Sequence, residues 1–371
     1  MDYFFSTGEV SGESSAVLLA QAIASIDLNA RFEGIGAQRM REAGFTLWRD
    51  HTGWASMGPL AAIPRIPKQL AIMWRTAFHI RERKPDLVVL VNYGVFNLRL
   101  ASTLRRRLQY AGPILDLFPP GTWLDNAQKA REVSALTVPV TAFAHQYAFY
   151  RRLGLNIAYF GHPLAGRYEM RPLRAAAPGD AGTVAVLPGS RGEELHRHLP
   201  RLALAYRELK ARRPHLRAIF GAADERAGLA IARAIEHYEL AGTRIVRGVS
   251  AAVAEADAAW VASGTAVLEC ALSGVPAVAL YVITPWLVKH GRKLIKHRFI
   301  ALPNLVLGRE LIPELLQEEA TPHRLAHEME GILQDPSRQY EGFVELRAAL
   351  GSSDALARCA QFAVDLARDA Q

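Results

Sequence analysis

Short runs of consecutive apolar residues recur along the chain, and most are followed by roughly ten to fifteen residues with helical spacing of apolar positions. Each run predicts a buried strand, and each spaced segment, such as 193–212 or 224–238, predicts a helix. Strands that alternate with helices predict an α/β fold with mainly parallel sheets. The predicted strands are residues 2–7, 31–36, 87–93, 114–118, 140–144 and 158–163, then 184–190, 216–223, 244–248, 258–263 and 277–282.

A stretch rich in Gly, Pro, Ala and charged residues, at 166–182, separates two halves of similar length. The chain has 371 residues, and half of them are hydrophobic, which is enough apolar material for two cores. We therefore expect an N-terminal domain over 1–166 and a second domain over 183–335. The remaining helical segment, 336–371, is expected to pack back on the first domain.

Two of the predicted strands end in glycine turns that open a helix, in VAVLPGSRGEE at 184–194 and AAWVASGTAVLE at 258–269. Such a turn directs backbone N–H groups and the positive end of a helix at one point, where a phosphate binds. Two of them in one α/β domain predict a nucleotide-diphosphate pocket at the carboxyl edge of the sheet. The alternative is a pair of ordinary strand-to-helix turns, which Arg191 and Glu269 make less attractive.

The net charge of +8 favours an anionic partner. Basic residues stand beside Trp and aliphatic side chains at 63–84 and 285–299, a composition that resembles an interfacial membrane-binding segment. The alternative is a helix with a buried apolar face and a solvated basic face. We find no nucleic-acid-binding motif, signal peptide or spanning segment, so we expect a cytoplasmic protein. Cys270 and Cys359 lie in helical patterns and are expected to be packed thiols.

Two Rossmann-like domains whose parallel sheets face a central cleft describe the GT-B glycosyltransferase architecture, and ordered motifs point to one family within it. The chain resembles the lipid-A-disaccharide synthases over nearly its whole length. The motifs that carry the resemblance are STGEVSGE (6–13), ARFEGIGAQRMREAGF (30–45), MGPL (57–60), KPDLVVLVNYGVFN (84–97), YFGHPLA (159–165), VLPGSRGEE (186–194), VASGTAVLECAL (261–272) and LPNLVLGRELIPELLQEEATP (302–322).

The resemblance implies an inverting transfer of 2,3-diacylglucosamine from UDP to diacylglucosamine 1-phosphate, with release of UDP. It also implies that no metal is needed for catalysis and that the enzyme lies peripherally on the inner membrane. No cofactor is expected, and a homodimer is a candidate assembly. Without the resemblance, composition and motif spacing predict only a nucleotide-binding α/β protein.

The resemblance places the UDP donor in the second half of the chain. Arg191 would offset the charge on the leaving UDP, and Glu269 would accept the ribose hydroxyls or else only favour its own helix N-terminus. Asn304 is a donor ligand or a turn residue, and Glu314, Gln317 and Glu318 form a donor-side cluster or a solvated face. The residues expected to bind the donor are Gly189, Ser190, Arg191, Gly264, Thr265, Ala266, Glu269, Asn304 and Gln317.

The acceptor is assigned to the first half. There Glu9 would bind a sugar hydroxyl or cap a helix, and His162 acts on the substrate or is a structural histidine. Residues 196–198, His-Arg-His, are expected to form a solvated helix face and not a metal site. The acceptor-side residues are Gly8, Ser11, Gly12, Met57, Gly58, Trp123 and His162.

The chain departs from the family where its general base is expected. The family pattern resembles D-x-P-D-F-N, whereas residues 92–97 read NYGVFN, and an amide such as that of Asn92 takes up no proton at neutral pH. Asp116 or Asp125 would then replace the base, and Asp116 is preferred because it is expected at an open strand end. The residues expected in the catalytic site are Asp116, Asn92 and Glu9. The alternatives are an enzyme with another acceptor, an epimerase-like hydrolase, or a non-catalytic UDP-sugar-binding relative.

Overall fold

The structure is a computed structural model, and it describes residues 1–52, 66–119, 126–173, 181–283 and 299–369. Residue contacts divide the chain into two units of similar size. Unit 1 comprises Met1–Gly166 together with Leu350–Gln371, and unit 2 comprises Arg167–Ala349. The C-terminal segment 336–371 is therefore divided: residues 336–349 belong to unit 2, and residues 350–371 belong to unit 1. Among the described residues, no helix combines the length and apolar character that a membrane span requires.

The described strands of unit 1 form one parallel sheet in the order β3-β2-β1-β4-β5-β6-β7. Strands β1 and β4 are neighbours although β2 and β3 lie between them in the chain, so the order reverses at this pair. Every residue of β4 is buried, as expected for a central strand covered on both faces. The strands are β1 Asp2–Ser6, β2 Arg31–Gly36, β3 Thr46–Asp50, β4 Leu87–Val91, β5 Ile114–Leu117, β6 Val138–Thr141 and β7 Ala158–Tyr159.

Helices cover both faces of this sheet. Alternate strand residues such as Phe5 and Val89 pack against the helices at 10–24 and 355–368, whereas Phe4 and Val88 pack against those at 66–83 and 94–102. The last helix, α14, thus returns to the core of unit 1. The unit 1 helices are α1 Val10–Ala24, α2 Gln38–Glu42, α3 Ile66–Arg83, α4 Gly94–Ser102, α5 Ala127–Leu136, α6 Ala144–Arg152 and α14 Ala355–Arg368, and a π-helical turn, Thr103–Arg107, follows α4.

Unit 2 repeats the arrangement with a parallel sheet of order β10-β9-β8-β11-β12-β13. The reversal falls between β8 and β11. Trp260 of β11 is fully buried in the core, and its indole N–H donates to the Leu325 carbonyl at 2.9 Å. The strands are β8 Gly182–Leu187, β9 Leu216–Ala222, β10 Thr243–Arg247, β11 Ala258–Ala262, β12 Ala277–Tyr281 and β13 Glu314–Leu316.

The helices of unit 2 confirm the two segments predicted from apolar spacing, 193–212 and 224–238. A short 3₁₀ turn, Gln317–Glu319, follows β13. The helices are α7 Gly192–Arg212, α8 Glu225–His237, α9 Val249–Val253, α10 Thr265–Leu272, α11 Leu302–Leu307, α12 Pro322–Gln334 and α13 Ser337–Ala349.

Candidate functional site

The reversal of strand order in each sheet marks where a ligand is expected, outside the carboxyl ends of the two central strands. In unit 2 these strands are β8 and β11, whose residues Leu187 and Val261 are register partners. Both glycine turns of the sequence analysis leave the sheet directly beyond this pair. The structure therefore brings the turns 188–191 and 263–265 to the same edge of one sheet.

The first turn is built around the carboxylate of Glu194. Its Oε2 accepts the backbone N–H groups of Ser190 at 3.2 Å and Arg191 at 3.3 Å, and its Oε1 accepts Nη1 of Arg191 at 2.8 Å. Gly189 has φ +111°, and a Cβ there would lie 2.5 Å from Glu194 Oε2. Only glycine fits this turn, which holds two N–H donors and one guanidinium together at the start of α7.

The second turn leaves the start of α10 uncovered. Gly264 and Thr265 are exposed, Ala266 is half-buried, and a Cβ on Gly264 would meet no described atom within 4 Å. The turn is fixed from below, because the Ser263 N–H donates to the Leu280 carbonyl at 2.9 Å. Helix N-termini attract anions through unpaired N–H groups and the helix dipole. The start of α10 and the guanidinium of Arg191 together offer donors to a diphosphate, whereas the N–H groups of Ser190 and Arg191 already donate to Glu194.

Glu269 lies one turn further along α10, on the same element as the second glycine turn. Its Oε2 accepts the phenol O–H of Tyr168 at 2.5 Å. Burial, and then the negative charge of Glu269, raise the pKa of Tyr168 well above its usual range. The phenol therefore keeps its proton and remains a donor to the carboxylate.

His198 was expected on a solvated helix face, and that expectation is wrong because its side chain is fully buried. Its Nδ1 lies 2.8 Å from the Pro188 carbonyl, which can only accept, and its Nε2 accepts the Val282 N–H at 3.0 Å. The ring is thus neutral with the proton on Nδ1, and burial lowers its pKa. Through these two hydrogen bonds, His198 connects the first glycine turn to the residue that follows β12. Its spacing from the apolar residues of α7, Leu195 and Leu202, was the signal that could have revealed it.

The side-chain amide of Asn304 is fully buried and holds the loop that leads to β13. Its Nδ2 donates to the Ile312 carbonyl at 2.8 Å and to Glu314 Oε1 at 2.7 Å, and its Oδ1 accepts two backbone N–H groups. This geometry favours a structural role for Asn304, and a donor contact stays a prediction. Gln317 has φ +53°, a conformation costly for a side chain with a Cβ, and it accepts the Ile283 N–H at 3.3 Å. Glu318 is exposed beside it.

In unit 1, the reversal between β1 and β4 carries a polar cluster. Asn92 donates to Glu9 Oε1 at 3.1 Å, and the Ser11 hydroxyl donates to the same oxygen at 3.1 Å. Asn92 and Tyr93 follow one another with φ values of +50° and +45°, an arrangement typical of functional sites. A Cβ on Gly8 would lie 2.2 Å from the Tyr93 ring, so glycine is required there.

Asn97 is a residue whose role sequence reasoning missed. It is buried, and its Nδ2 donates to the carbonyls of Asn92 at 3.0 Å and Ser6 at 3.2 Å, while its Oδ1 accepts the Ser6 hydroxyl. It therefore joins the ends of β1 and β4 and supports the strained backbone. Gly12 lies on the adjacent turn of α1, where a Cβ would be 3.5 Å from the Val91 carbonyl, an ordinary contact.

Asp116 does not lie at an open strand end, contrary to expectation. It is the third of four residues of β5, it is 5% exposed, and its register partners are Leu90 and Pro139. The carboxyl is buried below the edge of the sheet because the strand continues beyond it. Burial raises the pKa of Asp116 to about 7.

His162 is buried, and its Nδ1 accepts the Leu164 N–H at 3.2 Å. Burial lowers its pKa to about 4, so the ring is neutral at pH 7. Its backbone N–H donates to the Leu350 carbonyl at 2.8 Å. These contacts favour the structural reading of His162.

Several sequence predictions lie outside the described residues. These are Met57, Gly58, Trp123, Asp125, residues 63–65 of the first basic segment and residues 285–298 of the second. The described part of the first segment is α3, which buries Met73 and Ala77 but leaves Trp74 38% and Phe78 47% exposed. Among the described residues, no group of three His, Cys, Asp or Glu side chains is placed to hold a metal ion.

Two Rossmann-like units with parallel sheets, and paired glycine turns in the second, define a protein of the GT-B fold class. The lipid-A-disaccharide synthetase model matches residues 3–359, and the chain belongs to this family. It is 33% identical over 381 residues to the lipid-A-disaccharide synthase of Myxococcus xanthus, covering 97% of this chain and 96% of that one. The corresponding enzyme of Syntrophus aciditrophicus is 32% identical over 370 residues, with coverage of 97% and 96%.

Solved structures share the fold at low sequence identity. UDP-GlcNAc 2-epimerase from Neisseria meningitidis, bound to UDP-GlcNAc, gives a TM-score of 0.62 at 12% identity, covering 98% of this chain and 100% of that one. The calicheamicin glycosyltransferase CalG4 gives a TM-score of 0.61 at 15% identity, with coverage of 100% and 99%. At these identities the likeness concerns the fold alone.

Proposed function

We propose that this chain forms the lipid A disaccharide by transferring 2,3-diacylglucosamine from UDP to 2,3-diacylglucosamine 1-phosphate. Membership of the family supports this reaction, as do relatives that align along nearly the full length. The acceptor hydroxyl attacks the anomeric carbon, a base takes the hydroxyl proton, and the bond to UDP breaks with its electron pair leaving on the diphosphate. Configuration is inverted because a single displacement occurs.

The observation that carries the donor assignment is the meeting of the two glycine turns beyond β8 and β11. We assign the diphosphate to the N–H of Thr265 at the start of α10 and to the guanidinium of Arg191, which has five N–H donors and uses Nη1 for Glu194. The Ser190 N–H already donates to Glu194. A fixed cation at this point stabilises charge as it develops on the leaving group. Glu269 then accepts the ribose hydroxyls, because it lies one helical turn from the diphosphate site.

Among the described residues of unit 1, two carboxylates are candidates for the base. Glu9 is only half-buried at the carboxyl edge of the sheet, and Asn92 and Ser11 both donate to its Oε1. Burial raises the pKa of Asp116 to about 7, but its carboxyl lies buried below that edge. Because a base must first reach the proton, the geometry favours Glu9. Asn92, which stands where the family usually has an aspartate, would then orient the carboxylate of Glu9.

We further propose that the protein acts at the cytoplasmic face of the inner membrane and that α3 contacts the lipid. Trp74 and Phe78 are exposed on this helix, and Arg75 and Arg81 lie on the same element. Aromatic and basic side chains together favour the surface of an anionic bilayer. A homodimer is a candidate assembly, which sedimentation velocity would test.

The deciding experiment is UDP release from UDP-2,3-diacylglucosamine, measured with and without diacylglucosamine 1-phosphate. Release that requires the acceptor and yields a disaccharide supports the proposal. Release without the acceptor indicates a hydrolase, and UDP binding without release indicates a non-catalytic relative; either result contradicts it. The substitution of the family aspartate by Asn92 motivates these alternatives, but the near full-length relatives favour the synthase.

A further inference from the structure

Helix α10 forms hydrogen bonds with residues near both places where the chain passes from one unit to the other. The chain leaves unit 1 after Gly166, and Tyr168, two residues later, donates its phenol O–H to Glu269 in α10. It leaves unit 2 after Ala349, and Arg347 donates from Nη1 to the carbonyl of Leu272, the last residue of α10, at 3.0 Å.

Arg347 also fixes the backbone of Tyr168, because the same Nη1 donates to the Tyr168 carbonyl at 2.8 Å. Three residues further on, the Arg171 N–H donates to the Ser273 carbonyl at 3.3 Å. The connecting segment is therefore held at both its main chain and its side chain against one helix. This helix carries the second glycine turn at its N-terminus and Glu269 in its interior.

The contact between Tyr168 and Glu269 is suited to orienting a carboxylate. A glutamate side chain has several rotatable bonds, and a hydrogen bond of 2.5 Å to one oxygen restricts them. The phenol is itself restricted by burial and by a hydrogen bond with Ser250. A carboxylate has about four acceptor positions, so the contact with Tyr168 is compatible with further hydroxyl donors.

We propose that Tyr168 is a positioning residue for recognition of the donor ribose, holding the Glu269 carboxylate in the orientation that accepts the ribose hydroxyls. This inference rests on the proposed function, which assigns the ribose to Glu269. It adds a residue from the segment that connects the two units and predicts that this segment contributes to nucleotide specificity. Tyr168 acts through Glu269 and needs no contact with the nucleotide.

The test compares binding of UDP and 2′,3′-dideoxy-UDP by calorimetry in the full-length protein. Tyr168→Phe removes only the hydroxyl, and we expect it to weaken UDP binding about tenfold, as for loss of a hydrogen bond to a charged group. Binding of 2′,3′-dideoxy-UDP should be unchanged, since that ligand has no hydroxyl for Glu269 to accept. If Tyr168→Phe lowers the affinity for both ligands by the same factor, the variant has lost structure in general, and this result would overturn the inference.

Tyr340→Phe is the matched control, because its hydroxyl donates to the Arg171 carbonyl at 2.9 Å in the same region. It should leave the affinity for both ligands unchanged. Glu269→Gln tests the underlying assignment: if the wild type prefers UDP and Glu269→Gln removes the preference, the ribose assignment stands. Unchanged UDP affinity in Tyr168→Phe would then overturn the role of Tyr168 alone. Equal wild-type affinity for the two ligands would overturn the ribose assignment and the inference with it.

Discussion

Replacement of Asp116 by asparagine should make the protein more stable, and by an amount that grows with pH. The carboxyl has a pKa of about 7 in the folded protein, because burial disfavours its charged form, against an ordinary value of 3.8. Below pH 3.8 it is protonated in both states and does not affect folding. Between these two pH values the unfolded chain releases the proton while the folded protein retains it, so rising pH favours unfolding.

The difference between the two pKa values corresponds to about 4 kcal/mol once the pH exceeds both, and to about 1 kcal/mol at pH 4.5. Asparagine has nearly the same shape and does not ionise, so Asp116→Asn should escape this cost. We expect its free energy of unfolding in urea to exceed that of the wild type by about 1 kcal/mol at pH 4.5 and about 4 kcal/mol at pH 8. Asp365→Asn, at an exposed carboxylate, controls for the loss of one negative charge.

A stability difference that does not change between pH 4.5 and pH 8 would refute this reasoning, because it would mean that the carboxyl titrates alike in both states. The same variant also separates the two candidate bases. If Asp116 is the base, kcat/KM of the wild type falls as the pH drops through about 7 and Asp116→Asn is inactive. If Glu9 is the base, Asp116→Asn retains turnover and Glu9→Gln does not.

Three further predictions concern separate parts of the molecule. Arg191→Ala should lower kcat by about 10²-fold to 10³-fold, because leaving-group charge loses its cation; an effect on KM alone would argue against this role. His198→Ala should destabilise unit 2 by about 3 kcal/mol in urea unfolding, since the Val282 N–H and the Pro188 carbonyl both lose a buried partner. Trp74→Ser with Phe78→Ser should reduce flotation with anionic liposomes severalfold, whereas Val344→Ser, at a residue 57% exposed in unit 2, should not.

Much of the fold was predictable because most of its strands coincide with short runs of apolar residues in the sequence. The central strands β4, β8 and β11 are covered on both faces, and continuous apolar sequence marks them clearly. Strand β3 went unpredicted since its residues TLWRD are mostly polar, at the edge of the sheet. Strand β13 is only three residues long and pairs with β12 on one side.

The parts of the candidate site that depend on backbone geometry were predictable from the sequence. The parts that depend on whether a polar side chain is buried were less predictable. Glycine turns at the ends of strands are visible in sequence, as at Gly189 and Gly264. Burial of a polar side chain depends on which face its element presents to the core. Sequence reasoning therefore put Asp116 at an open edge and His198 in solvent, although both are buried. The contact between Tyr168 and Glu269 spans 101 positions and leaves no local pattern.

The return of α14 to unit 1 has a consequence for synthesis on the ribosome. Its residues Cys359, Ala360, Ala363 and Val364 are buried among those of α1 and the central strands, so the core of unit 1 is incomplete without them. Unit 2 is continuous and has all its strands before residue 350 is translated. The N-terminal part of unit 1 therefore emerges from the ribosome with one face of its sheet partly uncovered, and this face is covered only after residues 355–368 have been translated.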